Sequence, residues 1–72
     1  MRRYFFDFVG AALRSYDHHG QSLIGIEQAR EVAELMALHF GCSETDEWIG
    51  SEICVRDARG ATLFAVPVEA RN

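Results

Sequence analysis

The residues with the most chemical potential in this chain are the run Asp17-His18-His19, the later His39 and Cys42, and Asp7, a carboxylate set among aromatics. Imidazole and thiolate suit zinc, copper or nickel, so a site joining His18 or His19 to His39 or Cys42 is the metal reading. Spacing argues against it. Adjacent histidines in an extended segment point to opposite sides, and no His-x-His or i,i+4 pair sets two imidazoles on one side. The pair reads as surface turn histidines, and neither a metal nor a cofactor is expected. Asp7 in a partly apolar place could carry a raised pKa and serve acid–base chemistry. No second carboxylate, base or nucleophile lies at a telling spacing, so the better roles are a charged blocker against edge pairing or the partner of an arginine. No catalytic residue is assigned, and a non-enzymatic chain is expected.

The other reactive side chains are Cys42 and Cys54, which lack the Cys-x-x-Cys spacing of a zinc knuckle or redox motif. With an aromatic strand already under way at residue 3, no secretory leader is expected, and both cysteines should be free thiols in a reducing cytoplasm. All seven cations are arginines, and the formal charge is −4. Arg2, Arg3, Arg56 and Arg59 could form a local basic patch, but a net acidic chain is poorly suited to phosphate-backbone binding as its main task. No stretch is apolar for long enough to cross a membrane.

The elements that would position these residues begin with residues 3–9, a strand carrying aromatics on both faces. Residues 11–16 could return as a shorter strand, ending in the turn-rich Asp17-His18-His19-Gly20. From Ile26 to Phe40 the apolar period becomes helical, with Ile26, Ala29, Ala33, Met36, Ala37 and Phe40 on one face and Val32 on its margin. Gly25 falls at the N-cap, and Gly41 is expected to end the helix in a left-handed conformation. Leu35 and Leu38 fall outside the apolar stripe, where a loop or the following segment is expected to cover them. Cys42 to Gly50 reads as an acidic connector, with Trp48 as a lid on one end of the core.

A hairpin closes the chain: residues 52–56 alternate, Asp57-Ala58-Arg59-Gly60 turns, and residues 62–66 return. A three-residue loop would set Val55 opposite Leu63 and Ile53 opposite Ala65 against the helix. Cys54, Phe64, Val66 and Val68 would then lie on the other face.

The opening Met1-x-Arg3-Tyr4-Phe5-Phe6, the helical Glu27-Gln28-Ala29-Arg30 and the closing Val55-x-Asp57-x-x-Gly60-x-x-Leu63-Phe64 together resemble a group of short alphaproteobacterial proteins of unknown function. The likeness covers most of the chain. It departs at Gly25, where the group carries an acidic cap, and at Asp17-His18-His19-Gly20, where it carries an Asp-Glu-Gly turn. The resemblance implies no activity, substrate or catalytic residue.

These readings converge on a single α+β domain spanning residues 1–72, with an antiparallel sheet of three or four strands and one helix on one face, in the order β-(β)-α-β-β. Seventy-two residues bury little core, roughly 60–65 % of the unfolded chain's surface, and association is one remedy. The expected function is a non-catalytic, cytoplasmic interaction module that self-associates as a symmetric homodimer. Its expected interface is the sheet face away from the helix, through Phe5, Cys54, Phe64, Val66 and Val68. A further protein partner would be compatible with that role. The alternative is a small regulatory or nucleic-acid-binding domain, and a metal-binding or enzymatic role ranks third.

Overall fold

The aromatic run lies inside the sheet, with strands paired along both of its edges. In the computed structural model, which describes residues 1–11, 13–43 and 47–70, the chain runs β1 (Arg2–Val9), β2 (Arg14–Ser15), β3 (Gln21–Leu23), α1 (Ile26–Gly41), β4 (Glu52–Arg56) and β5 (Thr62–Pro67). All pairings are antiparallel. The strand order is β2-β1-β4-β5, with β3 also pairing to β1, so the sheet has five strands. This is the expected α+β class with one strand more than anticipated.

The extra strand comes from the returning segment. β1 pairs Phe8 with Ser15 and Tyr4 with Gln21; four steps along β1 therefore correspond to six along the return. β2 and β3 are two parts of one interrupted return strand, with the loop around Asp17-His18-His19-Gly20 looped out between them. Of the expected strand at residues 11–16, only Arg14–Ser15 is strand, and Ala12 lies outside the described residues.

One helix covers one face. Small residues on α1, Ala29, Ala33 and Ala37, are buried against large ones on the sheet, Tyr4, Phe6, Phe8, Ile53 and Val55. That division of sizes lets the helix axis approach the sheet closely while the aromatic rings fill the layer between. Val32, Met36 and Phe40 are half-buried at the margins of the stripe. Ile26, expected in the stripe, is the first residue of the helix and is 47 % exposed. Leu35 and Leu38 are uncovered, at 66 % and 42 % exposure, contrary to the expected cover.

Both helix ends depart from simple capping. Gly25 is the extended N-cap and supplies no side-chain bond. Instead Gln28, in the first turn, reaches back and accepts the Ile24 amide at 2.8 Å, a variant of the capping box. At the other end Gly41 is helical and buried, and the cap residue is Cys42 with φ −96°. The expected left-handed stop at Gly41 is therefore corrected. The Cys42 amide continues the helical bonding to Leu38 at 3.1 Å, and the Ser43 amide closes onto Phe40 at 3.2 Å. Beyond the cap, residues 44–46 of the expected acidic connector lie outside the described residues.

Trp48 closes one end of the core as expected. Its ring meets Phe8 edge-on at 4.8 Å and Phe40 at 4.9 Å, and Phe8 and Phe40 are 5.3 Å apart. These spacings fall in the favourable range for aromatic pairs.

The closing hairpin has the expected turn. The Gly60 amide donates to the Asp57 carbonyl at 3.0 Å, the Asp57 amide donates to the Ala61 carbonyl at 3.0 Å, and Gly60 takes φ +87°. Above the turn the expected register fails. Arg56 pairs with Thr62, but Val55 pairs with Phe64, so Leu63 is an extra residue in a β-bulge. The bulge moves every later residue of β5 to the opposite face from the one expected. Phe64 and Val66 now pack beside Ile53 and Val55 under the helix, and Val68 is 1 % exposed. Leu63 and Ala65, expected against the helix, are exposed. Burying Phe64, Val66 and Val68 removes more apolar surface than burying Leu63, Ala65 and Pro67, which gives the physical reason for the bulge.

Candidate functional site

The sheet face opposite the helix carries the polar organisation of the molecule. Asp7 projects there from the central strand, opposite Cys54 on β4, and Phe5 lies opposite Arg56. Asp7 is 3 % exposed. Its two oxygens receive the Arg56 guanidinium, Nε on Oδ2 and Nη2 on Oδ1 at 3.0 Å. Arg56 Nη2 also donates to the Asp17 carbonyl at 3.1 Å, and the guanidinium lies over the Phe5 ring, 5.0 Å from its centroid. A planar fork with several donors suits this double duty, which a lysine ammonium could not reproduce.

Asp17 completes the network from the looped-out segment. Its amide donates to Asp7 Oδ1 at 3.0 Å. Its own carboxylate accepts the amide of Phe6 at 3.2 Å and those of His19 and Gly20 at 3.0 Å each. β1 pairs with β3 through Tyr4 and with β2 from Phe8 onward, so the Phe6 amide falls in the gap between them. The Asp17 side chain takes the place of the missing strand partner there, as buried backbone donors require. Gly20 ends the loop at φ +70°, and a Cβ there would lie 2.8 Å from the Tyr4 carbonyl oxygen.

Burial pushes both carboxyls toward the neutral form, but their partners win. The Arg56 hydrogen bond, the Asp17 amide and the Arg56 charge hold Asp7 below the usual carboxylate value. The amides of Gly20, Phe6 and His19, with the charge of His19, do the same for Asp17. Arg56 is held above its ordinary value chiefly by its bond to Asp7. The expectation that Asp7 partners an arginine is met, and the acid–base alternative would require the opposite shift. Burial, then the negative charges of Glu52 and Asp7, push the Cys54 thiol up, a direction that disfavours the thiolate.

The remaining expected sites are dispersed. His18 and His19 are exposed, and His39 lies on the last helical turn against the edge of Phe40, 5.6 Å between ring centroids. Cys42 and Cys54 are free thiols. Among the described residues no group of three or more histidine, cysteine or acidic side chains is placed to hold a metal ion, and no helix is long and apolar enough to cross a membrane. Of the five expected interface residues, Phe5 and Cys54 stand on the uncovered face, both half-buried. Phe64, Val66 and Val68 do not, because the bulge at Leu63 turns them toward the helix. Phe64 sits at the margin of that layer, beneath the Arg30 guanidinium at 4.3 Å.

Two surface features bear on binding, the first of which gathers Arg2, Arg3 and Arg59 of the expected basic patch without Arg56. One is a groove of about 820 Å³ at the turn end of the hairpin, with Arg2, Arg3, Arg59, Ile26 and Leu63 in its walls. The other is the outer edge of β5, which no other strand pairs among the described residues and which holds no charged residue from Thr62 to Pro67.

A family profile described as a domain of unknown function, DUF6894, matches residues 3–69 of the chain. No curated protein and no solved structure matches it.

Proposed function

We propose that this chain, which belongs to the DUF6894 family, is a non-catalytic interaction module of the cytoplasm that associates with a second copy of itself. The observation that carries the reading is the outer edge of β5, six residues long, uncharged and, among the described residues, paired by no other strand. Strand edges are templates for pairing, and proteins that stay monomeric usually blunt them with charge, proline, bulges or cover. β5 has no charge, and its proline and bulge flank an intact stretch from Phe64 to Val66. The chemistry of the opposite face supports the non-catalytic part. Both oxygens of Asp7, the most buried carboxylate among the described residues, are taken by Arg56 and the Asp17 amide, so the group serves the fold and offers no free base. Sedimentation from micromolar to sub-millimolar concentration tests the reading: a monomer–dimer transition supports it, and a monomer throughout defeats it.

The groove favours a second reading. Three arginines beside apolar Ile26 and Leu63, against the single carboxylate of Asp57, suit an anionic ligand, including a nucleic-acid backbone. Nucleic-acid absorbance that co-purifies with the protein and is lost on Arg2→Ala/Arg59→Ala substitution would favour it over self-association as the main role.

A further inference from the structure

We infer that two copies join β5 to β5 in antiparallel register about a two-fold axis at Ala65, making one continuous sheet with both helices on the same side. The inference rests on the self-association proposed above and adds its register. The Val68 amide donates to Ser51 at 2.8 Å, and the Val68 carbonyl accepts the Gly50 amide at 3.1 Å. Both backbone groups of Val68 therefore face β4. Alternation along a strand turns those of Val66 and Phe64 inward as well, and those of Ala65 outward. The neighbouring outward positions are impaired: Pro67 has no amide, and Leu63 is the bulged residue. Ala65 is thus the one outward residue of β5 with an intact donor and acceptor in regular strand. Only a two-fold axis at Ala65 lets it pair with a residue equally intact, itself in the second copy.

That register makes the edge complementary to itself. Phe64 of each copy falls opposite Val66 of the other, in the pair type that brings side chains closest, about 4.5 Å between Cα atoms. Both residues are half-buried at the margin of the core, so the seam would complete a layer each chain leaves unfinished. On the opposite face Ala65 meets its own copy with no bulk between the strands. At each end of the seam, the turn that carries Arg59 in one copy comes beside the segment after β5 that carries Glu69 in the other. Among the described residues neither side chain has a hydrogen bond or ion pair within its own chain, and the two-fold repeats this charge match at both ends.

Three proteins test it. Wild type should sediment as a dimer at tens of micromolar. Ala65→Pro removes the outward amide without touching the ladder to β4, and should weaken dimerisation at least tenfold while the melting curve of the diluted monomer stays in place. In a Cys42→Ser/Cys54→Ala background, Ala65→Cys should form a disulfide-linked dimer on mild oxidation, since paired Cα atoms about 5.5 Å apart suit that bond. Thr62→Cys, which lies beyond the bulge and away from its own copy, should not. The cysteine pair decides the matter if the proline variant fails to fold. A dimer whose Ala65→Cys form links no better than Thr62→Cys overturns the register while leaving self-association standing. A wild-type monomer at these concentrations overturns both.

Discussion

Asp7 and Asp17 clamp the first strand to the return loop: the Asp7 carboxylate accepts the Asp17 amide at 3.0 Å, and the Asp17 carboxylate accepts the amide of Phe6, the residue before Asp7, at 3.2 Å. Like charges are tolerated here because Arg56 binds the first carboxylate and the carbonyl of the second residue. The arrangement ties the start of the chain, the return loop and the closing hairpin into one unit.

Removing the arginine should therefore cost far more than its partly exposed position suggests. Arg56→Ala would leave Asp7 buried without a counter-charge, at about 3 kcal/mol, the low end for a broken buried pair because the Arg56 side chain keeps 27 % exposure. Arg56→Lys should recover only part, since it loses the fork. Chemical denaturation of both variants checks the order; equal stability of Arg56→Ala and wild type would refute it.

Acid should unfold the protein through the same two carboxylates. Both are held below their ordinary value of 3.8, so the unfolded chain binds protons more readily than the folded one. Their stabilisation is complete above that value and is lost as pH falls through the lowered folded values. The denaturation midpoint of Asp7→Asn should start lower near neutrality and fall less steeply below pH 3.8 than that of wild type. Parallel profiles would show that other groups control the acid transition.

The helix contact depends on small side chains. Ala33 is fully buried between α1 and the sheet, and Ala33→Leu should destabilise by about 1–3 kcal/mol by forcing the layers apart. Ala33→Gly should lose a similar or smaller amount for a different reason, backbone entropy, at about 1 kcal/mol. Thermal melts of the two variants separate the effects, because only the leucine variant should also disturb the near-ultraviolet signal of Trp48.

Gly20→Ala should be costly twice over, through its left-handed backbone and through the 2.8 Å approach to the Tyr4 oxygen. A loss of about 1–3 kcal/mol is expected, with amide exchange accelerating first at residues 21–23. Unchanged exchange there would place the strain elsewhere.

The periodic parts of this fold were legible in the residues. The helix from Ile26 follows from its alanine-rich stripe, the first strand from its aromatic run though not its place in the sheet, and the Asp57–Gly60 turn from its composition. The bulge at Leu63 was not legible, because it is decided by which of two alternating sets on β5 buries more surface, a comparison that needs the helix already in place. β3 was missed for a related reason: Gln21-Ser22-Leu23 is too short and too polar to announce a strand, and it is held by pairing with Arg2–Tyr4. The site was half legible. Asp7 could be assigned an arginine partner, but choosing Arg56 required the register of β1 against β4, and the role of Asp17 required the gap between two pairings.

That gap carries a rule about insertions and deletions. The returning segment exceeds its partner by two residues, an even number, so side chains on either side of the loop stay in phase and Leu23 reaches the core on the same face as Tyr4. Loss or gain of a single residue between Ser15 and Gln21 would invert one half of the return and turn Leu23 to solvent. Removing two would leave the phase intact and join the halves into one unbroken strand, at the expense of Asp17's hold on Phe6. Length variation in this loop should therefore be tolerated in steps of two.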